Sequence, residues 1–234
     1  MLRLLHIDSS ARSGHSDEQV HGSHTRRLST RFVRRWQARR PQDAVMYRDV
    51  AAQPPTPVSS AWVHAAFTSP VQREPWMDQV LSQSDHLVDE LIDADLIVIG
   101  VPMYNFGMPS TLKAWIDNIV RVGRTFGFDR SRTGEPYWPL LAGQGKRMVL
   151  LSSRGDYGYE PGERLGASNH VEAGVTVPLR YIGIDRVDRV AIEYDEFNDG
   201  RLHASVTAAE AEVDALVDQL VVEMASCKAA LSQI

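Results

Sequence analysis

The sequence predicts an α/β fold built on a parallel sheet, and three observations carry that prediction. Short apolar runs alternate along the chain with segments of helical period, the pattern of repeated βα units. Several of the runs are apolar throughout, as strands covered on both faces are. The length of 234 residues and the hydrophobic content of 43% suit one α/β domain spanning 1–234 better than two small ones.

Each element follows from its own pattern. Strands are expected at Leu2–Asp8, Ala44–Asp49, Leu96–Val101, Arg147–Ser152 and Arg186–Tyr194. A first helix carries Leu28, Phe32 and Trp36 at i, i+4 and i+8, with Arg27, Arg31, Arg34, Arg35 and Arg39 on its other faces. Between Asp78 and Asp93 the apolar positions Val80, Leu81, Leu87, Val88, Leu91 and Ile92 form a second stripe. Pro109 suits the first turn of a third helix whose inner face is Leu112, Trp115, Ile116 and Ile119. His170–Ile184 reads as a helix interrupted by Gly174 and Pro178, so a kink or a late start is expected there. Val213, Leu216, Leu220 and Met224 mark a last helix.

Two stretches exceed ordinary connections. Residues 51–75 carry five prolines, and residues 122–145 are rich in Gly, Arg and aromatics. Both are expected either to wall a substrate pocket or to be tolerated insertions. No internal repeat or low-complexity segment is present. Net charge is −5, which gives the whole chain no general affinity for nucleic acid. The arginines from Arg26 to Arg40 read as a solvated helix face with a few members near a bound anion. The single cysteine, Cys227, forms no internal disulfide and suits a reducing, cytoplasmic setting. The start of the chain has no signal-peptide pattern, and no segment reaches the length of a membrane span.

The chemistry-bearing residues fall after strands, where parallel sheets place their ligands. After the first strand come Ser9, Ser10 and Arg12, then Ser23, His24 and Thr25 at the start of the first helix. Hydroxyls, a cation and free helix amides suit a phosphate, although serines also cap ordinary helices. Ser16 is set aside because Asp17 and Glu18 follow it, whereas Arg26 and Arg27 follow Ser23 and Thr25. After the third strand, Pro102-Met103-Tyr104-Asn105-Phe106-Gly107 offers aromatic, amide and thioether groups to a flat ring with polar edges. After the fourth come Ser153, Arg154, Gly155 and Asp156. Phe126, Phe128, Tyr137 and Trp138 are candidates for a stacking substrate wall or for plain loop packing. His21 and His24 have metal-like spacing without a partner set, so no metal is expected. Gly143-Gln144-Gly145-Lys146 precedes a strand and lacks the hydroxyl of a phosphate loop, and no Gly-x-Gly-x-x-Gly follows the first strand.

Taken together, these loops resemble those of the FMN-dependent NAD(P)H azoreductase and quinone reductase family of flavodoxin-like proteins. The strongest stretch runs from Val101 to Asp117, continued by Arg121–Phe126 and Ser153–Gly155. The resemblance implies a flavodoxin-like three-layer sandwich with strand order 2-1-3-4-5 and a homodimer binding FMN near its interface. It implies ping-pong transfer of two electrons from NADH or NADPH to a quinone or an azo compound. By matched position Ser10, Ser23, His24 and Thr25 would hold the phosphate. Met103–Phe106 and Ser153–Asp156 would hold the isoalloxazine ring. The chain departs from the family in the longer span between Ser10 and Ser23, and in Asp156, which stands where many relatives have glycine. A carboxylate there is expected to disfavour an anionic reduced ring and to lower its potential. Hydride chemistry belongs to the flavin, so no side chain is expected to act as nucleophile. The competing readings are a one-electron flavodoxin-type carrier, for which −5 is a modest docking charge, and a flavin-binding regulatory protein. Only the arginine-rich first helix supports the latter.

Overall fold

The computed structural model describes residues 1–231, with side chains through Ala225; Cys227 lies outside the described side chains. Five parallel strands form one sheet: β1 (Arg3–Asp8), β2 (Ala44–Asp49), β3 (Leu96–Pro102), β6 (Arg147–Ser153) and β7 (Arg186–Ile192), in the order β2-β1-β3-β6-β7. Counting these five alone, that is the expected 2-1-3-4-5. The three inner strands are buried almost throughout, whereas β2 and β7 are exposed along much of their length, as edge strands must be.

Alternate strand residues feed two cores. Leu4, Leu96, Val98, Val149 and Leu151 face α1 (His24–Arg39) and α6 (Gly200–Leu231). Leu5, Ile7, Ile97, Ile99 and Leu150 face α3 (Pro75–Asp93), α4 (Ser110–Ile119) and α5 (Val171–Tyr181). The period of two in the strands thus sorts the helices into two layers.

Three findings depart from the sequence reading. Residues 51–75 contain a short helix, α2 (Ser60–Phe67), capped by the Ser59 hydroxyl. Residues 122–145 contain an antiparallel hairpin of β4 (Phe126–Phe128) and β5 (Tyr137–Pro139). Helix α5 runs through both Gly174 and Pro178. A Cβ at Gly174 would meet only Met108 Cε, the end of a flexible side chain.

The arginines of α1 are not a free solvated face. Arg27 pairs with Glu210 at 2.7 Å, Arg31 with Asp214 at 2.8 Å and Arg35 with Asp218 at 2.6 Å. Each pair steps four residues along two helices that run the same way, so the ladder docks α6 onto α1. Among the described residues no helix is long and apolar enough to cross a membrane.

Register aligns the strand ends. Asp8 lies level with Gly100, Pro102 with Ser153, and Ser153 with Ile192, so the loops after β1, β3, β6 and β7 leave from one edge. At Gly100 the sheet approaches the start of α1 closely: a Cβ would lie 2.7 Å from Asp8 Oδ1 and 3.3 Å from the Thr25 carbonyl oxygen. Gly100→Ala is therefore expected to cost about 1–3 kcal/mol of stability by overpacking. A urea midpoint equal to that of the parent protein would contradict this.

Candidate functional site

The loop after β1 is shaped by one buried cation. Arg26, in the first turn of α1, donates through Nη2 to the Ser10 carbonyl at 2.8 Å and through Nε to the Arg12 carbonyl at 2.9 Å. Its guanidinium also takes both oxygens of Asp49, at 2.7 and 3.1 Å, and the Tyr47 hydroxyl at 3.1 Å. The carbonyls of Ser10 and Arg12 are thereby turned toward the guanidinium and away from the cleft. Ser23 caps α1, accepting from the Arg26 amide at 3.2 Å. The Thr25 hydroxyl is fully buried, 3.0 Å from Ser23 Oγ, and stands behind Ser23 rather than on a cleft wall.

After β3 the chain makes a two-residue hairpin. The amide of Tyr104 donates to the Gly107 carbonyl at 2.8 Å, and the amide of Gly107 donates back to Tyr104 at 3.0 Å. The central residues Asn105 and Phe106 have φ of 48° and 68°, the pattern of a type I′ turn. Asn tolerates that region, but Phe does so at a cost of order 1–3 kcal/mol, a strain usually kept at functional loops. The turn is tied down on both sides. Tyr104 Oη accepts from the Ala11 amide at 3.1 Å, and the Phe106 carbonyl accepts from the His170 amide at 2.9 Å. The side chains of Asn105 and Phe106 point into solvent, while Pro102, Met103 and Tyr104 line the cleft.

After β6, Ser153 and Gly155 line the same cleft, but Arg154 does not. Its side chain is 2% exposed and is taken by Glu160, Glu193 and Glu172. Asp156 carries its own counter-ion: Arg164 lies 2.5 Å away and, with the Tyr157 amide, holds the carboxyl below the ordinary carboxylate range. Asp156 is not among the residues lining the cleft, and Arg164 offsets the charge on which the expected lowering of a ring's potential rested.

The sequence reading missed a fourth loop. Asp195 and Glu196, after β7, complete the cleft. Their amides donate to the carbonyls of Arg154 and Gly155, each at 3.1 Å, and a Cβ on Gly155 would meet the Glu196 carboxylate at 2.6 Å. Burial raises the Asp195 carboxyl, but His24 Nε2 at 3.3 Å and Arg12 at 3.4 Å outweigh it and leave the group below its ordinary range. The signal was available: a parallel β7 must end at the same edge as β6.

The cleft joins Ser10, Arg12, Ser23 and His24 at one end to Pro102, Met103, Tyr104, Ser153 and Gly155 at the other, and encloses about 150 Å³. The donor chemistry at the first end fits a phosphate: two hydroxyls, helix amides, a guanidinium and an imidazole. The other end, with a thioether, a phenol ring and backbone groups, fits one face and edge of an isoalloxazine ring. Ser16 lies outside this cleft, its hydroxyl 2.9 Å from His24 Nδ1.

Phe126, Phe128, Tyr137 and Trp138 lie elsewhere. Phe126 packs on Tyr181 at the end of α5 with ring centroids 5.2 Å apart, and the Leu141 amide bonds the Ile182 carbonyl. The hairpin therefore sits where β6 and β7 begin, at the edge of the sheet opposite the cleft. Trp138 covers Gly127 and stacks under Arg132, whereas Phe128 and Tyr137 are half exposed.

The family model for the flavodoxin-like fold matches residues 3–217. The chain is 40% identical over 220 residues to the FMN-dependent NADH:quinone oxidoreductase 2 of Idiomarina loihiensis, covering 94% of this chain and 91% of the relative. It is 42% identical over 217 residues to the FMN-dependent NAD(P)H:quinone oxidoreductase 1 of Pseudomonas aeruginosa, covering 92% and 98%. Among solved structures, an azoreductase of Bacillus anthracis superposes with a TM-score of 0.80 at 19% identity, covering 94% of this chain and all of that one. An FMN-dependent NADH-azoreductase of the same species, solved with FMN, also gives 0.80, at 17% identity, covering 94% and 99%. At such identities the structural likeness is one of fold.

Because Asp49 is held below the ordinary carboxylate range, with Arg26 and the Ala51 and Ala52 amides outweighing burial, its contribution to stability is complete above about pH 4. That contribution is lost as the pH falls through the depressed folded value. Arg26→Met leaves Asp49 without its cation, and is expected to cost about 3–5 kcal/mol at neutral pH and to move acid unfolding to higher pH. Chemical denaturation at several pH values reads both effects.

Proposed function

The chain belongs to the flavodoxin-like fold family that includes the FMN-dependent NADH:quinone oxidoreductases, and on that premise we propose that it is an FMN-dependent oxidoreductase passing electrons from NADH or NADPH to quinones or aromatic azo compounds. The observation that carries this reading is the single cleft made by four strand-end loops, with phosphate donors at one end and ring-binding groups at the other.

Bound FMN would supply the redox chemistry, accepting a hydride from the nicotinamide and handing two electrons to the acceptor in a ping-pong sequence. The protein's part is placement. Ser10, Ser23, Arg12 and His24 hold the phosphate, and Arg26 fixes the loop that presents them. Met103 and Tyr104 support the ring, with the strained Asn105–Phe106 turn setting their height above the sheet. No nucleophile or strong base is required, and protons come from water.

One chain supplies only part of the wall. A cleft of about 150 Å³ is smaller than the 300–1,000 Å³ of ordinary ligand pockets, so a bound ring would remain open on one face. We place the cover on a second copy: in a homodimer the half-exposed Phe128 and Tyr137 of one protomer meet the cleft of its partner.

The purified protein, with FMN added if colourless, is expected to show a flavin spectrum that bleaches with anaerobic NADH and returns with a quinone. A bound flavin that NADH leaves unbleached would overturn the enzyme reading. Phe128→Ala is expected to raise the quinone KM about 2- to 10-fold with the NADH half-reaction unchanged, the range of one aromatic contact. Sedimentation should give a dimer, and a monomer with full activity would remove the shared wall.

A further inference from the structure

The loop after β7 presents a carboxylate that phosphate binding does not use. Three amides bind this loop to the one after β6: Tyr194 donates to the Asp156 carbonyl at 3.3 Å, Asp195 to Arg154 and Glu196 to Gly155, each at 3.1 Å. Tyr194 has φ of 70°, a left-handed conformation that a bulky residue adopts only under constraint, and its ring stacks on Tyr157 with centroids 4.9 Å apart. The loop is thereby held so that the Glu196 side chain lies along Gly155. A Cβ built on that glycine would meet Cγ, Cδ and Oε1 of Glu196 at 2.8, 2.7 and 2.6 Å.

Two features single this carboxylate out. The first is charge. Arg12, His24 and Asp195, the other charged groups on the cleft wall, are joined through Asp195, and Asp156 in the β6 loop is paired with Arg164. Glu196 has no cationic partner among the described residues. The second is hydrogen bonding. The carbonyls of Ser153, Arg154, Gly155 and Asp156 each accept an amide already, from Met103, Asp195, Glu196 and Tyr194 in turn. The strongest acceptor left at the ring end of the cleft is therefore the Glu196 carboxylate.

We propose that Glu196 recognises the polar edge of the flavin ring and sets its reduction potential: the carboxylate accepts from the ring's single imide N–H and places an uncancelled negative charge beside that edge. The assignment rests on the flavin reading of the cleft. A hydride arriving at the ring brings two electrons and one proton, so the ring gains one negative charge. Glu196 is exposed, and water screens its charge; a ring lying on Ser153 and Gly155 would cover it, and repulsion between like charges strengthens as the local dielectric falls. The oxidised ring is thus held by the hydrogen bond, while the reduced ring is held less tightly and is the better donor to an acceptor.

The test titrates flavin-free protein with FMN, following flavin fluorescence, and reads the potential of the FMN-loaded protein anaerobically against a reference dye. Both measurements are repeated with Glu196→Gln, which keeps the shape and an acceptor but removes the charge, and with Asp156→Asn. Glu196→Gln is expected to hold oxidised FMN within about threefold of the parent affinity and to strengthen binding of reduced relative to oxidised FMN about tenfold, a rise of about 30 mV for a two-electron couple. Asp156→Asn is expected to leave that ratio within about twofold. A merely structural loss would weaken both redox states together and leave the potential where it was. Glu196→Ala, which removes the acceptor as well, is expected to weaken oxidised FMN about five- to tenfold. An unmoved potential in Glu196→Gln overturns the assignment, as does an equal rise in Asp156→Asn, and both leave the flavin reading intact. Failure of the parent protein to bind FMN defeats the flavin reading and this assignment with it.

Discussion

The site depends on one buried guanidinium. Arg26 leaves α1 and meets, in a single plane, the carbonyls of two successive turns of the β1 loop and a carboxylate at the end of β2. Only arginine has enough donors in a fixed fork to do this. Lysine would reach one or two of these acceptors and leave the others buried and unsatisfied. The same residue lies in the first turn of α1, so the loop and the helix N-terminus are fixed relative to each other by one side chain. Asp8, 3.6 Å from Arg26 and bonded to Ser29 at 2.7 Å, carries the arrangement back into β1.

The device recurs. Arg154, behind the loop after β6, gathers Glu160, Glu172 and Glu193 from three separate segments and so ties that loop to the start of α5 and the end of β7. Arg121, after α4, is 1% exposed; burial pulls its guanidinium down against the pull of Asp85, and it bonds Ser84 at 2.8 Å. Three loops near the sheet ends thus each have a buried arginine behind them. Removing such a charge from water costs several kcal/mol, which the carboxylates facing Arg26, Arg154 and Arg121 offset. What is gained is position: the loops after β1 and β6 can stay irregular where they line the cleft because Arg26 and Arg154 fix their other side.

Much of this was legible in the sequence, and the reasons differ by element. The inner strands announce themselves because burial on both faces requires unbroken apolar runs such as Leu96–Val101. The start of α1 could be read because Ser23 is a cap and Arg26 follows within one turn. Helix α5 begins at Val171 and contains both Gly174 and Pro178, so no late start is found, and no local rule in the sequence shows this. β4 and β5 are three residues each, too short to show a period. Arg154 looked like a ligand because a strand-end arginine usually is solvated or bound, and its three glutamate partners lie 6, 18 and 39 residues away.

The electrostatics at the phosphate end are a matter of exchange rather than capture. Arg12 and His24 both lean on Asp195, whose carboxylate is thereby kept charged. A phosphate bound there, as proposed, would meet an Arg12 guanidinium already partnered, so its gain would be the difference between two ion pairs, not the whole of one. Arg12 is the movable member: its side chain is half exposed, whereas His24 is pinned from both sides. On the proposed reading Asp195 would act as a placeholder, holding Arg12 and His24 in place until a stronger anion binds.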